Sequence, residues 1–116
     1  NLSTPNALVD TLEALHFSPQ KELFYSSLPI AGISGTLRRR MKKTPAQGVV
    51  YAKTGTLRGV RALSGYLRHP QYGTLAFSII GNNSRVSGSY LVSTIDRIVV
   101  QMTRFRPCAT ELPNGY

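Results

Sequence analysis

A lysine, two threonines and a glycine are adjacent in the segment Lys53–Thr56, which reads KTGT. On a rigid strand the ammonium of Lys53 is a fixed positive charge with three hydrogen-bond donors, and it can tune a neighbouring hydroxyl. Thr54 and Thr56 are two residues apart, so both hydroxyls leave one face of a strand. Gly55 has no side chain, which lets a substrate approach the backbone closely. These parts suit a substrate that offers a carboxylate and a carbonyl.

The same segment can stabilise the negative charge that develops on a carbonyl oxygen under attack. If Lys53–Thr56 lies at the edge of a sheet, the backbone N–H of Thr56 points outward and supplies half of an oxyanion hole. The two threonine hydroxyls would then hold the carboxylate of the substrate. The tripeptide Lys-Thr-Gly alone is a weak signal, because an exposed lysine before a turn has the same letters.

The residues around this segment have the composition of β-strands, with turn-forming residues at the strand ends. We predict strands over Val49–Thr54, Ala62–Leu67 and Thr74–Ile80. The segment His69–Gly73 is expected to join the second and third strands as a hairpin loop of about five residues. The predicted sheet is therefore small and antiparallel.

Helical signals flank the strands on both sides. Ser3-Thr4-Pro5 predicts a helix start, and apolar residues then recur at helical spacing to Leu15. Ser18-Pro19 predicts a second short helix, which Leu28-Pro29 ends. A last helix is predicted over Ser87–Thr103, and its β-branched residues require that packing against the sheet stabilise it.

These elements predict an α+β fold, in which N-terminal short helices and a C-terminal helix cover three antiparallel strands. The face toward the last helix is expected to carry Leu63, Leu67, Leu75, Phe77 and Ile79. The opposite face is expected to carry Ala52, Tyr66, Ala76 and Ile80. That second face needs a cover, either from the first helices or from outside the chain.

Length and charge limit the possible classes of protein. The chain has 116 residues, which suits one modest domain with one core. Its 14 Lys and Arg against 5 Asp and Glu give a net charge of +9, which favours anionic partners without choosing among them. No apolar run approaches the ~20 residues that span a bilayer, and no signal-peptide pattern is found. His16, His69 and Cys108 are too scattered for a zinc site, so we expect no metal and no cofactor.

Longer stretches around the lysine carry a more specific signal. They are LPIAGISGTL at Leu28–Leu37, AKTGTL at Ala52–Leu57, Gly59-Val60 and ALSGY at Ala62–Tyr66. These stretches resemble the C-terminal part of the D-alanyl-D-alanine carboxypeptidase/endopeptidase family of the penicillin-binding protein 4 type. In such proteins K-T-G accompanies an S-x-x-K and an S-x-N-type motif. The resemblance implies the C-terminal portion of a transpeptidase-like (β-lactamase-like) domain, with residues 1–116 as a single partial domain.

The resemblance also implies roles for four residues. Lys53 would lie against the serine of the second motif and assist proton transfer, which makes it the catalytic candidate. Thr54, Gly55 and Thr56 would bind substrate, the two hydroxyls holding the terminal carboxylate of the D-Ala-D-Ala stem. The N–H of Thr56 would share the oxyanion hole with the N–H of the nucleophilic serine. That serine would be acylated by substrate and by β-lactams alike.

The nucleophile itself is not identified within the chain. Ser18-Pro19-Gln20-Lys21 matches S-x-x-K, but it lies only a short distance before Lys53, and no Ser-x-Asn triplet occurs. We interpret Ser18 as a helix cap, since the family places its S-x-x-K far upstream. The chain is therefore expected to be inactive alone, as a fragment, a processed chain or a remnant that lacks the N-terminal part of the catalytic domain.

Five of the six residues in Arg38–Lys43 are basic, within an irregular stretch where a helical turn begins near Thr36. This run is open to three interpretations: a solvated turn, attraction to an anionic cell-wall polymer, or a nucleic-acid patch. No interleaved aromatic residue and no nucleic-acid-binding signature supports the last. Arg58 and Arg61, beside the K-T-G motif, are either solvated or raise the positive potential near the carboxylate pocket.

The sequence thus predicts the C-terminal part of a serine-type D-Ala-D-Ala carboxypeptidase, in the periplasm or another extracytoplasmic site. Its partners would be a peptidoglycan stem peptide or a β-lactam, and the missing N-terminal part of the domain; no nucleic acid and no transmembrane segment are expected. The alternative is a non-catalytic basic binding module for an anionic polymer. An S-x-x-K and an S-x-N upstream of Asn1 would favour the enzyme.

Overall fold

The computed structural model describes residues 4–83 and 85–106, so Cys108 and the tail around it lie outside the described residues. The elements are α1 (Pro5–His16), α2 (Lys21–Ser26), a 3-10 helix (Gly35–Leu37), β1 (Val50–Leu57), β2 (Val60–His69), β3 (Gly73–Asn82) and α3 (Gly88–Met102). The predicted α+β class and the predicted order of elements are confirmed.

The three strands form one antiparallel sheet in the order β1-β2-β3. The two-residue turn Arg58-Gly59 joins β1 to β2, and Gly59 has a positive φ of 68°, which glycine adopts without steric cost. The next connection is shorter than the predicted five-residue loop, because His69 and Gly73 already pair with each other. β1 continues to Leu57, so the whole KTGT segment lies within a strand.

A buried histidine explains the short β2–β3 connection. His69 is only 3% exposed, and its Nδ1 accepts hydrogen bonds from the backbone N–H groups of Gln71 at 3.1 Å and Tyr72 at 3.3 Å. The side chain thus replaces a backbone acceptor inside the turn. His69 has a structural function here.

One face of the sheet packs against α3 and the loop before β1. The buried core on this face comprises Ala31, Leu37, Met41, Ala46, Val50, Ala52, Leu63, Leu67, Phe77, Ile95 and Val99. The prediction that Ala52 lies on the opposite face was wrong, because Ala52 pairs with Gly65 and therefore shares a face with Leu63 and Leu67. The sequence around Ala52 has no clean alternation, so only the register with β2 determines its face.

The opposite face is covered by the chain's own first helices. Leu12, Tyr25, Leu28 and Tyr66 form a second buried cluster, with Ala76 packed against it. The rings of Tyr25 and Tyr66 stack with centroids 4.5 Å apart. The sequence left open whether this face is covered by the first helices or from outside the chain. Within the described residues, α1 and α2 cover it.

Hydroxyl caps begin two of the helices, and the cap of the first helix was predicted from the sequence. Thr4 Oγ1 accepts a hydrogen bond from the N–H of Ala7 at the start of α1, and Ser87 Oγ accepts one from Tyr90 at the start of α3, both at 3.1 Å. The second helix begins at Lys21, later than the pair Ser18-Pro19 predicted, and no side chain caps it.

Candidate functional site

The KTGT segment lies on β1, the edge strand of the sheet. Only the first residues of β1 form backbone hydrogen bonds on the side away from β2 within the described residues. Ala52 donates its N–H to the carbonyl of Pro29 at 3.0 Å, and the carbonyl of Val50 accepts from Ala31 at 2.9 Å, so both groups point away from β2. Backbone groups alternate along a strand, and the N–H groups of Thr54 and Thr56 therefore point to the same outer edge. This is the orientation that an oxyanion-hole donor needs.

Lys53 leaves the sheet on the opposite face from the two threonines, since it pairs with Ser64 on the side of α1 and α2. Its side chain then bends back to the edge, where Nζ donates a hydrogen bond of 3.0 Å to the carbonyl oxygen of Thr54. The ammonium is exposed, yet it is fixed beside the outward backbone groups of β1. The structure thus brings the amine of Lys53 and the backbone of Thr54 together.

A cavity of about 510 Å³ opens between this edge and the first two helices. The sheet contributes Lys53, Thr54, Gly55, Ala62 and Ser64 to its wall. The other wall comprises residues of α1, of α2 and of the segment just after α2: Leu8, Thr11, Leu12, Leu15, Phe24, Ser27 and Leu28. A concave, mostly apolar space with a few converging polar groups is typical of a ligand site.

Ser18, the only serine in an S-x-x-K arrangement, is outside the set of described residues that line this cavity. Its hydroxyl donates to the carbonyl of Leu15 at 2.9 Å and accepts from the N–H of Gln20 at 3.2 Å. These bonds hold the turn between α1 and α2. Ser18 therefore stabilises a turn, rather than capping α2 as the sequence predicted.

Two polar residues near the motif were missed at the level of sequence. Thr54 Oγ1 donates to Thr36 Oγ1 at 3.3 Å, and the hydroxyls of Ser64 and Ser78 are 2.8 Å apart. Ser64 is the cross-strand partner of Lys53, so a correct register would have revealed it. Thr36 lies in an irregular segment whose position no local pattern determines.

Burial raises the pKa of two tyrosines that pack beside the cavity. Burial, then the neighbouring Tyr66, raises the pKa of Tyr25 to about 12, although the positive charge of Arg68 opposes this. Burial also raises the pKa of Tyr66. Arg68 lies 4.6 Å from the ring of Tyr51 and 5.9 Å from that of Tyr25, which places a cation over the aromatic group.

Arg61 is directly opposite Thr56 in the sheet and shares its face. Its Nη1 donates to the carbonyls of Leu57 and Val60, each at 2.9 Å, so the guanidinium holds the β1–β2 turn. A Cβ built on Gly88 would overlap the same guanidinium, which shows that the start of α3 packs directly on it. Arg61 therefore positions the end of the strand that carries the motif.

Over residues 4–83 and 85–106, no group of three His, Cys, Asp or Glu side chains could hold a metal ion. None of the helices within the same ranges combines the length and the apolar character needed to cross a bilayer.

The fold matches that of a part of penicillin binding protein 4. The crystal structure of penicillin binding protein 4 from Haemophilus influenzae matches this chain with a TM-score of 0.76 and 26% identity. The match covers 90% of this chain and 25% of the Haemophilus chain. The same protein complexed with a novel β-lactam matches equally well, with a TM-score of 0.76. A predatory endopeptidase from Bdellovibrio bacteriovorus, in complex with an immunity protein, shares the fold at a TM-score of 0.73 and 22% identity.

The sequence profile of the D-Ala-D-Ala carboxypeptidase 3 (S13) family matches residues 1–104, and the chain belongs to this family. It is 43% identical over 110 residues to a D-alanyl-D-alanine carboxypeptidase of Actinomadura sp. (strain R39), covering 90% of this chain and 20% of that protein. It is 39% identical over 113 residues to penicillin-sensitive carboxypeptidase A of Dictyostelium discoideum, covering 90% and 22%. The family predicted from the sequence is confirmed, and the chain spans about a fifth of the length of these relatives.

Proposed function

We propose that this chain supplies the K-T-G substrate-binding strand of a serine-type D-Ala-D-Ala carboxypeptidase or endopeptidase. The enzyme would act on peptidoglycan stem peptides and be acylated by β-lactams, in the periplasm or another extracytoplasmic site. Family membership supports the reaction class. The observation that carries the proposal is the hydrogen bond of 3.0 Å between Lys53 Nζ and the carbonyl of Thr54, which holds an ammonium at the free edge of β1.

The residues of this edge would act on different parts of one substrate. The hydroxyls of Thr54 and Thr56 would hold the terminal carboxylate, and Gly55 would leave room for the peptide backbone. The outward N–H of Thr56 would donate to the carbonyl oxygen as negative charge develops on it. Lys53 would keep the edge positive and assist proton transfer to the leaving amine.

The nucleophile would come from residues outside this chain. Residues 1–116 would then form one partial domain, completed by an N-terminal part that carries S-x-x-K and S-x-N. The serine would attack the substrate carbonyl, the terminal residue would leave as the amine, and water would hydrolyse the acyl-enzyme. The hydroxyl of Ser18, already engaged with Leu15 and Gln20, is not proposed for this role.

The proposal can be tested in a chimera. Residues 1–116 would replace the matching segment of the Actinomadura carboxypeptidase, and acylation by a fluorescent penicillin would be timed. The chimera should be acylated, and Lys53→Ala should slow acylation by about 10²-fold or more if the amine takes part in proton transfer. Lys42→Ala, which removes an exposed amine elsewhere, is the matched control. Equal rates with and without the Lys53 amine would disprove its role.

A second measurement addresses the isolated chain. Incubated with labelled penicillin, the 116-residue chain should give no covalent adduct by mass spectrometry. A stoichiometric adduct on Ser18 would show that the nucleophile lies within the chain and would overturn this part of the proposal.

A further inference from the structure

One loop carries four exposed, positively charged side chains. We call it the basic loop and define it as Arg38–Lys43. Leu37, just before the loop, and Met41, within it, have buried side chains, at 0% and 6% exposure. On either side of Met41 the side chains of Arg38, Arg39, Lys42 and Lys43 are all exposed. The loop therefore turns its apolar residues inward and presents its charges to solvent.

Arg40 fixes the basic loop to the last helix. Its Nη2 lies 2.7 Å from Asp96 Oδ1, and its Nε lies 3.2 Å from both carboxylate oxygens. Both side chains are only 18% exposed, so this two-point ion pair is well shielded from solvent. The pair also neutralises Asp96, and the other described carboxylates belong to α1 and α2 on the opposite face of the sheet.

The backbone of the basic loop is held in an uncommon conformation. Met41 and Lys43 have positive φ values of 55° and 61°, which side-chain-bearing residues rarely adopt. The N–H of Lys43 donates to Gln47 Oε1 at 2.7 Å, and Thr44 Oγ1 donates to the carbonyl of Met41 at 2.6 Å. These contacts keep the loop in one shape, so little ordering is needed when a partner binds.

Two further arginines extend the charged surface. Arg97 of α3 and Arg104, just after its end, are exposed, and together with Met41 and Thr44 they line a cavity of about 660 Å³. Arg104 follows Arg97 by seven residues, and both line the same cavity. Because Met41 belongs to the basic loop, these two arginines share a cavity wall with that loop.

We propose that the basic loop, with Arg97 and Arg104, binds a polyol phosphate, a polymer with repeating phosphodiester groups and no bases. An extended set of cations suits a repeating anionic backbone, and each guanidinium can bind a phosphate with two hydrogen bonds. No aromatic residue occurs between Ser34 and Gln47, so the basic loop itself offers no ring on which nucleic-acid bases could stack, and the exposed Phe105 lies next to Arg104 at the other end of the surface.

The basic loop lies close to the strand that carries the KTGT segment. It begins two residues after Thr36, whose hydroxyl accepts a hydrogen bond from Thr54 on the motif strand. A phosphate polymer bound there would pass next to the substrate edge of β1. The proposal goes beyond the proposed peptidase activity, since binding is measured without any cleavage.

The test measures fluorescence anisotropy of labelled poly(glycerol phosphate) with the 116-residue chain between 50 and 200 mM NaCl, concentrations at which phosphate contacts are strongly salt-dependent. An oligothymidylate with the same number of phosphates is the competing probe. We expect the polyol phosphate to bind at least as tightly as the oligothymidylate. Removal of four charges in R38Q/R39Q/K42Q/K43Q should lower its affinity at least ~10-fold and reduce the salt slope by roughly 3.

Matched variants separate a defined surface from the effect of net charge. K42Q/K43Q and R58Q/R85Q each remove two exposed cations, but only the first changes the basic loop. The first should weaken binding several-fold and the second by less than about twofold. Asp96→Asn adds positive charge but releases Arg40, so it should lower affinity; circular dichroism would confirm that the variants remain folded.

Three outcomes would overturn the proposal. Equal losses in the two double variants, or a gain in affinity for Asp96→Asn, would show that net charge alone attracts the polymer. Tighter binding of the oligothymidylate would assign the surface to nucleic acid instead.

Discussion

The hydroxyl of Tyr66 donates a hydrogen bond of 2.6 Å to the carbonyl oxygen of Leu12, which ties the central strand of the sheet to the first helix. Both residues are buried, at 1% and 7% exposure. Leu12 also lines the cavity that contains Lys53. The bond therefore helps to hold the helical wall of the candidate site against the strand that forms its other wall.

Tyr66→Phe should measure the strength of this tie. The variant keeps the ring and its stacking on Tyr25 but loses the donor, so the free energy of unfolding should fall by about 1–2 kcal/mol. Urea denaturation of the purified chain gives this value. Tyr72 lies in the β2–β3 loop and is 46% exposed. Tyr72→Phe should therefore change the free energy of unfolding by less than about 0.5 kcal/mol. Similar values for both variants would refute the special contribution of Tyr66.

The tyrosine pair should make stability depend on alkaline pH. The pKa of Tyr25 is raised by burial to about 12, above its ordinary value of 10.0, so the folded chain retains a proton that the unfolded chain releases. The contribution is complete below pH 10 and is lost as the pH rises from 10 toward 12. Unfolding free energies measured over this range should decline, with Tyr25→Phe declining less steeply.

A control for this pH dependence is available on the surface. Tyr90 is 56% exposed, so Tyr90→Phe should leave the alkaline decline unchanged. Absorbance at 295 nm would show which tyrosine ionises late. If Tyr25→Phe titrates with the same profile as the parent chain, the late ionisation belongs to another group.

Local signals predicted the elements of the fold, whereas the faces of β1 and the contacts of the site depended on longer-range geometry. The caps at Thr4 and Ser87 act within three residues, so the sequence alone could predict them. The face of Ala52 depends on pairing with Gly65, which the short β1–β2 turn sets. The contact of Thr36 with Thr54 joins residues 18 apart across an irregular segment, which no periodic pattern describes.

His69→Phe should destabilise the β2–β3 connection. Phenylalanine fills the buried site but offers no acceptor to the backbone N–H groups of Gln71 and Tyr72. Loss of the acceptor should cost about 1–3 kcal/mol, and amide exchange at these two positions should accelerate in NMR spectra. Gln71→Ala keeps both backbone bonds and is the control. Unchanged exchange in His69→Phe would mean that water serves the two donors equally well.

Gly55 and Gly65 offer a comparison between substrate access and folding. A Cβ at Gly65 would overlap the carbonyl oxygen of Tyr51 and would lie 2.5 Å from Ala52 Cα, so β1 would have to move. At Gly55 the nearest atom would be Ala62 Cβ at 3.4 Å, an ordinary contact. Gly65→Ala should therefore lower the free energy of unfolding by about 3 kcal/mol or more, and Gly55→Ala by less than about 1 kcal/mol.

The same pair separates the two roles in the penicillin-binding chimera. Gly55→Ala adds a methyl group to the wall of the cavity beside Lys53, where the substrate backbone would approach. It should slow acylation by about tenfold while the melting temperature stays close to that of the parent, which a purely structural glycine would not do. A Gly55→Ala chimera that is acylated at the parent rate would show that substrate does not pass close to this part of β1.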